Sequence, residues 1–152
     1  SIMQLLPPPL RCRGVQPVGR LDADTTGLLI FTDDGALLHR LTHPKRHVPK
    51  RYRVTCKHAS SDKMLEDLVL GVKLKDEKET LAADDIVRVD EYTIDMTITS
   101  GKYHQVKRMV AAAGNRVEAL QRIAFGALRL PEDLACGKWR WLSGPDVFYD
   151  KK

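Results

Sequence analysis

One aspartate, Asp22, stands in a setting suited to nucleophilic chemistry. Residues 19–31 read GRLDADTTGLLIF, so Asp22 follows Arg20 and Leu21 and precedes a continuous apolar run. A carboxylate can act as a nucleophile when it is ionised, held by a cation and shielded from water. Arg20 or a distant lysine could supply that cation. The same pattern is also typical of a turn capped by Asp22 or Asp24, and the residues alone leave both interpretations open.

A later segment supplies cations that could reach such an acid. Residues 101–109 read GKYHQVKRM, and the apolar residues from position 106 onward recur at helical spacing. This spacing predicts a helix that ends at residues 114–115. His104, Lys107 and Arg108 share its outward face. Lys107 is therefore either a solvated helix lysine or a partner of the acid.

A third segment places an aromatic ring on a predicted strand. Residues 51–57 alternate, with Tyr52, Val54 and Cys56 on one face and charged or polar side chains on the other. Such alternation is typical of a half-buried strand. Tyr52 therefore points inward, either as a core aromatic or as a wall of a site.

The chain is basic, and its basic residues are clustered. Its 152 residues include 25 Lys and Arg against 20 Asp and Glu, which gives a net charge of +5. The clusters lie in residues 11–13, 43–53 and 102–108. They are either solvated faces or contacts for phosphates. The last two flank the candidate site residues, and this favours a nucleic-acid partner.

Several other classes of protein fit poorly. The three cysteines, Cys12, Cys56 and Cys136, are far apart and form no CxxC pair, which argues against a disulfide framework and a zinc site. No apolar run approaches the roughly 18 residues that span a bilayer, and the first residues do not resemble a signal peptide. Metal-ligand spacings and nucleotide-binding glycine motifs are also missing. We therefore expect a cytoplasmic protein that uses no metal, cofactor or membrane.

The elements that must position these residues predict an α+β fold. Pro7 to Pro9 predict an extended arm at the start of the chain. Predicted helices cover residues 36–41, 61–72 and 106–113, and predicted strands cover residues 28–32, 51–57, 86–89, 92–99, 116–120, 123–130 and 138–142. Because the elements lack a regular βαβ rhythm, they favour a mostly antiparallel mixed sheet with helices packed on one face.

Three motifs, in this order and spacing, resemble the RsuA branch of the pseudouridine synthases, which modifies ribosomal RNA. They are GRLD with DTTGLL and DDG in residues 19–35, KRYRV in residues 50–54 and GKYHQVKRM in residues 101–109. The resemblance covers roughly residues 15–142. It implies the pseudouridine synthase catalytic fold and a cofactor-free isomerisation of uridine.

The resemblance also implies a role for each candidate residue. Asp22 would be the nucleophile, Tyr52 would lie against the flipped uracil and help to remove the C5 proton, and Lys107 would pair with Asp22 where many relatives carry arginine. The residues expected to contact the substrate are Arg20, Leu21, His104, Gln105, Arg108 and Leu120.

Some of these contacts have alternatives. Arg20 would fill the space that the extruded uridine vacates, or would pair with Asp24. His104, Gln105 and Arg108 would line the RNA cleft or brace the loop that carries Asp22. Leu120 would pack beneath the tyrosine or serve only as a core leucine.

The expected domain organisation follows from the same resemblance. Residues 1–16 are an extended stub, and residues 17–152 form the catalytic domain without the family's separate N-terminal RNA-binding module. The expected partner of this monomer is ribosomal RNA or a pre-ribosomal particle, with a uridine of 16S rRNA preferred over one of 23S rRNA as the substrate. A non-catalytic RNA-binding module for ribosome assembly and hydrolysis by paired carboxylates are the alternatives.

Overall fold

The computed structural model describes residues 2–46, 48–102 and 104–150. His47 and Tyr103, which belong to two of the basic segments, lie outside the described residues. The helices of the described chain are α1 (Pro8–Cys12), α2 (Gly35–Thr42), α3 (Asp62–Leu70) and α4 (Gln105–Ala112). The strands are β1 (Gln16–Pro17), β2 (Thr25–Gly27), β3 (Phe31–Thr32), β4 (Lys50–Cys56), β5 (Asp85–Arg88), β6 (Thr93–Ile98), β7 (Val117–Phe125) and β8 (Leu128–Arg129).

A mixed sheet forms the centre of the molecule. Its strand order is β2-β7-β4-β6-β5, and β8 pairs with β7 at one end. The β2 to β7 pairing is parallel, while β4, β5, β6 and β8 pair antiparallel with their neighbours. Strands β1 and β3 form a separate antiparallel pair. The predicted α+β class with a mostly antiparallel mixed sheet is confirmed.

The larger hydrophobic core lies between this sheet and helices α3 and α4. Inward residues of the central strands, such as Val54, Ile94 and Met96, pack with Leu68 of α3 and Met109 of α4. All five side chains are fully buried. The alternation predicted for β4 and β6 is therefore the alternation that builds the core.

The opposite face of the sheet carries charged side chains. Arg53 on β4 donates two hydrogen bonds to Asp95 on β6, at 2.9 and 3.0 Å. Arg51 lies 3.7 Å from the same carboxylate and 3.6 Å from Asp85 on β5. Cross-strand ion pairs of this kind fix the register of neighbouring strands.

A second core holds the N-terminal half of the chain against the end of the sheet. Val18, Ile30 and Leu41 pack there with Phe125 of β7 and Phe148. Asp34 is the N-cap of helix α2, and its carboxylate accepts hydrogen bonds from the backbone N–H groups of Ala36 and Leu37. This cluster anchors the loop between β1 and β2, which carries Asp22.

Residues 28–32 were predicted to form one strand, and Gly27 explains why they do not. The backbone of Gly27 has a positive φ of 106°, and a Cβ atom there would lie 2.2 Å from the carbonyl oxygen of Arg122. After Gly27 the chain leaves the main sheet, and only Phe31–Thr32 pairs again, with β1. Glycine is required because the two backbones touch.

Two other local predictions are wrong. The segment with Pro7 to Pro9 is not extended, because Pro8–Cys12 forms a helix whose first positions are prolines, where a missing N–H costs nothing. Residues 138–142 form no strand in the described chain, and Trp139 and Trp141 contact each other with ring centroids 5.3 Å apart. The alternating residues 138–142 do not form a strand because no strand of the described chain pairs with this segment.

Other predicted elements match with small differences. The helix predicted over residues 61–72 is α3, and Ser61 caps it by accepting a hydrogen bond from the backbone N–H of Met64. Val69 on this helix is 49% exposed. The two strands predicted between residues 116 and 130 begin as one continuous strand, β7, which then turns at Gly126 into β8.

Candidate active site

A cleft of about 650 Å³ opens beside the end of the sheet where β4 and β7 meet. The loop between β1 and β2, the inward faces of β4 and β7, and the start of α4 all line it. Its volume lies within the range of small-molecule sites, roughly 300–1,000 Å³. The cleft is therefore large enough to take a single base from an RNA chain.

Asp22 lies in the loop on one side of this cleft. Its backbone carbonyl accepts a hydrogen bond from the N–H of Thr25 at 2.9 Å, so residues 22–25 form a tight turn that leads into β2. The Asp22 side chain is 32% exposed, with one oxygen 3.4 Å from His104 Nε2 and the other 3.6 Å from Lys107 Nζ. The tight turn therefore does not keep Asp22 away from the basic side chains of α4, and the role of Asp22 as a nucleophile stays a prediction.

Lys107 holds two carboxylates together. Its ammonium lies 2.5 Å from Asp24 Oδ1, closer than to Asp22. The hydrogen bond to Asp24 raises the pKa of Lys107, and the same bond lowers the pKa of Asp24. Lys107 therefore stays charged at neutral pH and keeps a positive potential beside Asp22.

Tyr52 and Leu120 form part of the wall of the cleft. Tyr52 on β4 pairs with Arg122 on β7, and Leu120 pairs with Val54 of β4 and Thr25 of β2. Leu120 is buried, while Tyr52 is half-buried and packs against the larger core. Both line the cleft, so the aromatic ring has a core side and a cleft side.

Arg20 and Leu21 line the cleft from the loop that carries Asp22. Arg20 is exposed, and no ion pair within the described ranges includes it. The alternative pairing of Arg20 with Asp24 is wrong, because Asp24 is paired with Lys107 instead. Arg20 thus leaves its charge available to the solvent at the mouth.

The three polar residues around the start of α4 take different positions. His104 is the N-cap and has a left-handed backbone with φ of 47°, which points its ring towards Asp22. Gln105 is buried, and its side-chain oxygen accepts hydrogen bonds from Ser100 Oγ and the Lys102 N–H. Gln105 lines the cleft but mainly stabilises the turn before α4.

Arg108 does not line the cleft. It donates a hydrogen bond of 2.6 Å to the carbonyl of Lys75 and lies 3.7 Å from Glu77. Arg108 therefore holds the loop around residues 75–77 against α4. The loop that Arg108 braces is therefore a different one from the loop that bears Asp22, and a contact of Arg108 with RNA stays a prediction.

The cleft also contains charged and aromatic residues that were not predicted as site residues. Lys50, Arg122 and Phe125 all line the cleft, and Arg122 is almost fully buried. Lys50 is the first residue of the KRYRV motif, and its position two residues before Tyr52 places it on the same face of β4. The alternation along β4 could therefore have identified Lys50 as a cleft residue. Nothing in the local sequence marks Arg122, because a buried arginine contradicts the usual pattern.

The described residues show no other arrangement suited to this chemistry. No group of three or more His, Cys, Asp or Glu within the described ranges could hold a metal ion. A smaller cavity of about 270 Å³ beside His39 and His43 contains no carboxylate. No helix in the part of the chain that the structure describes is long and apolar enough to cross a membrane.

Comparison with protein families gives a match to the RNA pseudouridylate synthase family over residues 4–112. The match includes Asp22, Tyr52 and Lys107, and it also begins within the segment expected to be a stub. It therefore contains the loop, the strand and the helix that surround the cleft.

Curated relatives are ribosomal small subunit pseudouridine synthases A. The protein of Vibrio vulnificus is 49% identical over 131 residues, which are 85% of this chain and 56% of the relative. Those of Yersinia pestis and Escherichia coli are 43% and 42% identical over 129 residues, covering 85% of this chain and 55% and 56% of the relatives. The chain thus spans a little over half the length of the curated relatives it matches.

Solved structures agree with this relationship. A crystal structure of a pseudouridylate synthase superposes with a TM-score of 0.91 at 40% identity, over 97% of this chain and 64% of that one. An archaeal box H/ACA Nop10-Cbf5 complex shares the fold, with a TM-score of 0.54 at 17% identity over 83% of this chain and 44% of that one. With a family match over well more than half of its residues, this chain belongs to the RNA pseudouridylate synthase family.

Proposed function

We propose that this chain converts one uridine of ribosomal RNA to pseudouridine, and that its target lies in the 16S rRNA of the small subunit. The observation that carries the proposal is the cleft in which Asp22, Lys107 and Tyr52 meet, with 3.6 Å between the acid and the amine. The names of the curated relatives support the small-subunit target.

In this mechanism Asp22 acts as the nucleophile. Its carboxylate attacks the target nucleotide, the bond between N1 of uracil and C1′ of the ribose breaks, and the base rotates within the cleft. A new bond then joins C5 to C1′ as the bond to the carboxylate breaks, C5 loses its proton and N1 gains one. Lys107 and His104 orient the acid, because each of these side chains contacts one of its two oxygens.

Tyr52 and Leu120 supply the walls that hold the base. The phenol ring lies on the inward face of β4, where it can pack against a flat pyrimidine and assist removal of the C5 proton. Arg20, exposed at the mouth, is placed to occupy the space that the extruded base leaves in the RNA. Unstacking costs a few kcal/mol, which such contacts offset.

The proposal is tested with the chain, transcripts of unmodified 16S and 23S rRNA, and small-subunit particles assembled from them. Pseudouridine is mapped by carbodiimide labelling and primer extension. We expect one modified position in 16S rRNA or its particle and none in 23S rRNA. The Asp22→Asn variant should fold normally and form no product.

Two outcomes would replace the proposal by its alternatives. Modification of 23S rRNA alone would assign the large-subunit target. Binding of 16S rRNA without any pseudouridine, in both the free and the assembled form, would favour a non-catalytic module for ribosome assembly. The Asp22 variant distinguishes these cases, because a pure binding protein has no need of that carboxylate.

The setting of the protein is proposed with the function. Since its substrate would be ribosomal RNA or a pre-ribosomal particle, we place it in the cytoplasm. We propose that it acts as a monomer, which sedimentation of the chain with and without RNA would test.

A further inference from the structure

Two cations converge on one aromatic ring deep in the cleft. The ammonium of Lys50 lies 5.9 Å from the centroid of Phe125, and the guanidinium carbon of Arg122 lies 5.4 Å from it. All three residues line the cleft. Lys50 Nζ also lies 3.9 Å from the position that a Cβ of Gly101, another lining residue, would occupy. The Lys50 ammonium therefore sits within the cleft wall.

No carboxylate in the described part of the chain neutralises this pair. The acids beside the cleft, Asp22 and Asp24, contact Lys107 and His104 instead. Arg122 donates one hydrogen bond from Nε to the carbonyl of Leu28, at 2.9 Å. That contact uses one of its five N–H donors.

Two buried polar atoms at the same place lack partners among the described residues. They are Nη2 of Arg122 and Oγ1 of Thr25, and both residues line the cleft. Buried polar atoms are usually paired, so an unpaired one at a binding cleft marks a place where a polar ligand atom is missing. Thr25 and Arg122 lie on the adjacent strands β2 and β7, and each has one buried polar atom without a hydrogen-bond partner among the described residues.

The electrostatic setting points to a ligand that gains negative charge. Burial, and then the nearby charge of Arg122, lowers the pKa of Lys50. A cation destabilised in this way is stabilised when an anion enters the site. The positive charges of Lys50 and Arg122 therefore favour the binding of a ligand that carries or gains negative charge.

The depth at which Lys50 and Arg122 lie in the cleft decides which part of a nucleotide can contact them. Arg122 is 2% exposed, and the walls beside it are the rings and aliphatic chains of Phe125, Tyr52 and Leu120. These walls suit a flat base, while a phosphate remains with the RNA backbone near the exposed Arg20. The groups of uracil that accept hydrogen bonds or charge are its carbonyl oxygens, O2 and O4.

We propose that Lys50 donates a hydrogen bond to a carbonyl oxygen of the inserted uracil and stabilises the negative charge that develops on the base during the reaction. Arg122 is a positioning residue in this arrangement, since its side chain ties β7 to Leu28 and keeps the potential around Lys50 positive. The inference rests on the proposed function and adds a catalytic residue to it.

The charge follows from the bonds that change. When C1′ bonds to a carboxylate oxygen of Asp22, the N1–C1′ bond breaks and its electron pair passes to N1, O2 and O4. Rotation lets C5 bond to C1′ while the carboxylate leaves with its electron pair, C5 loses its proton and N1 gains one. Attack of Asp22 on C6 of the ring would equally push charge onto O4. A donor at a carbonyl oxygen therefore helps by either route.

The first experiment compares Lys50→Met with Lys57→Met, which removes an exposed lysine just beyond the same strand. Single-turnover rates are measured on 16S rRNA at saturating enzyme, with RNA affinity measured separately. The Lys50 variant should lose roughly a hundredfold in rate with little change in affinity, and the Lys57 variant should keep the parental rate. Thermal unfolding checks that both are folded.

The second experiment uses RNA with 2-thiouridine or 4-thiouridine at the target position. Sulfur accepts hydrogen bonds poorly, so the thio substitution at the contacted carbonyl should slow the parental protein. The same substitution should slow the Lys50→Met variant much less, because the donor is already gone. The effect of sulfur on the base itself is present in both proteins and cancels in the ratio.

The outcomes separate the inference from the proposed function. If the parental chain forms no pseudouridine, the proposed function fails first. If it does so and Lys50→Met matches its rate, the inference is overturned. Loss of affinity alone, with a reduced salt dependence, would assign Lys50 to a phosphate and overturn it too. Equal thio effects in the two proteins at both positions would also contradict it.

Discussion

The ammonium of Lys107 lies 3.6 Å from the carboxylate of Asp22, although the two residues are far apart in the sequence. The helix α4 carries the amine, and the loop before β2 carries the acid. Because the shorter contact of Lys107 is to Asp24, its position is fixed from two sides. The amine therefore acts on Asp22 from a preorganised place.

The first prediction concerns this amine. Lys107→Met should lower the turnover rate by roughly a hundredfold or more, because Asp22 would lose its nearest lysine and its negative charge would be less stable. Lys107→Arg should keep a larger share of the rate, since it retains the charge with a different geometry. Single-turnover kinetics on 16S rRNA measure both.

The matched control for Lys107 is Lys63, whose exposed ammonium lies 2.7 Å from Asp67 on α3. Lys63→Met removes an ion pair of similar length at a place remote from the cleft. Its rate should equal that of the parental chain. An equal loss in both variants would show that a general charge effect, and not the contact with Asp22, is responsible.

The second prediction separates the two acids that Lys107 joins. Asp24→Asn should keep the rate within about fivefold of the parental value, because exposed ion pairs contribute little and asparagine still accepts a hydrogen bond. Asp22→Asn should abolish product. A hydrolytic mechanism with paired carboxylates would instead need both acids, so two inactive variants would speak for that alternative.

Asp24 should also affect stability in acid. The hydrogen bond from Lys107 lowers the pKa of Asp24 below its usual value of 3.8 in the folded protein. Its stabilising contribution is present above the usual value and is lost as the pH falls through the lowered one. Urea unfolding should therefore show a smaller loss of stability between neutral pH and pH values below 3.8 for Asp24→Asn than for the parental chain.

How much of this site the sequence predicts depends on whether local patterns decide the position of a residue. The inward position of Tyr52 and of the other inward side chains of β4 follows from strict alternation. The pairing of Lys107 with Asp22 was predicted by resemblance. The stronger contact of Lys107 with Asp24 was not, because it depends on how the 22–25 turn sets the second acid.

The misses have physical causes that lie outside any local window. The run from Leu28 to Thr32 looks like one strand, yet Gly27 must touch the backbone of Arg122, so the chain turns away. Arg108 braces the loop around Lys75 and not the loop that bears Asp22, because its hydrogen-bond partner is distant in the sequence. Arg122 is buried because β2 and β4 flank its strand on both sides.

The third prediction concerns the charged face of the sheet. Asp95 is nearly buried and accepts two hydrogen bonds from Arg53. Asp95→Ala should destabilise the fold by about 1–3 kcal/mol, because two arginines lose a shared anion. Asp85→Ala is the control, since its carboxylate is exposed and pairs only with Arg51 at 3.6 Å in the described structure, so its cost should stay below about 0.5 kcal/mol.

Chemical unfolding followed by fluorescence measures these two variants. Their single-turnover rates should match the parental chain under conditions in which they are folded, because both acids lie on the face of the sheet opposite the cleft. A rate loss in folded Asp95→Ala would mean that the strand register set by this ion pair also controls the position of Tyr52.

The fourth prediction concerns the thiols. Cys12 and Cys136 are exposed, whereas Cys56 is buried in the larger core. Burial raises the pKa of the Cys56 thiol, so its thiolate, the reactive form, is scarce. A disulfide reagent should titrate two thiols rapidly in the native chain and the third only after unfolding. Rapid reaction of three, or of one, would contradict this structure.

The fifth prediction tests the contact between β2 and β7 that positions the loop of Asp22. A methyl group on Gly27 would lie 2.2 Å from the carbonyl oxygen of Arg122, and the backbone there has a φ of 106°. Gly27→Ala should therefore cost roughly 2–4 kcal/mol in stability, since both the clash and the strain oppose it. Gly35→Ala is the control, because nothing lies within 4 Å of its Cβ position and it starts α2, where alanine favours the helix.

Unfolding and activity together decide what the Gly27 contact does. If Gly27→Ala is destabilised and its remaining folded fraction also turns over more slowly, the contact sets the position of Asp22 as well as the strength of the sheet. The residue is five positions from Asp22 in a chain segment whose turn is closed by the Thr25 N–H, so a shift of β2 away from β7 moves the carboxylate relative to Lys107. Parental stability for Gly27→Ala would show that β2 can move from β7 without cost, and the parallel pairing seen here would then not be what holds the acid in place.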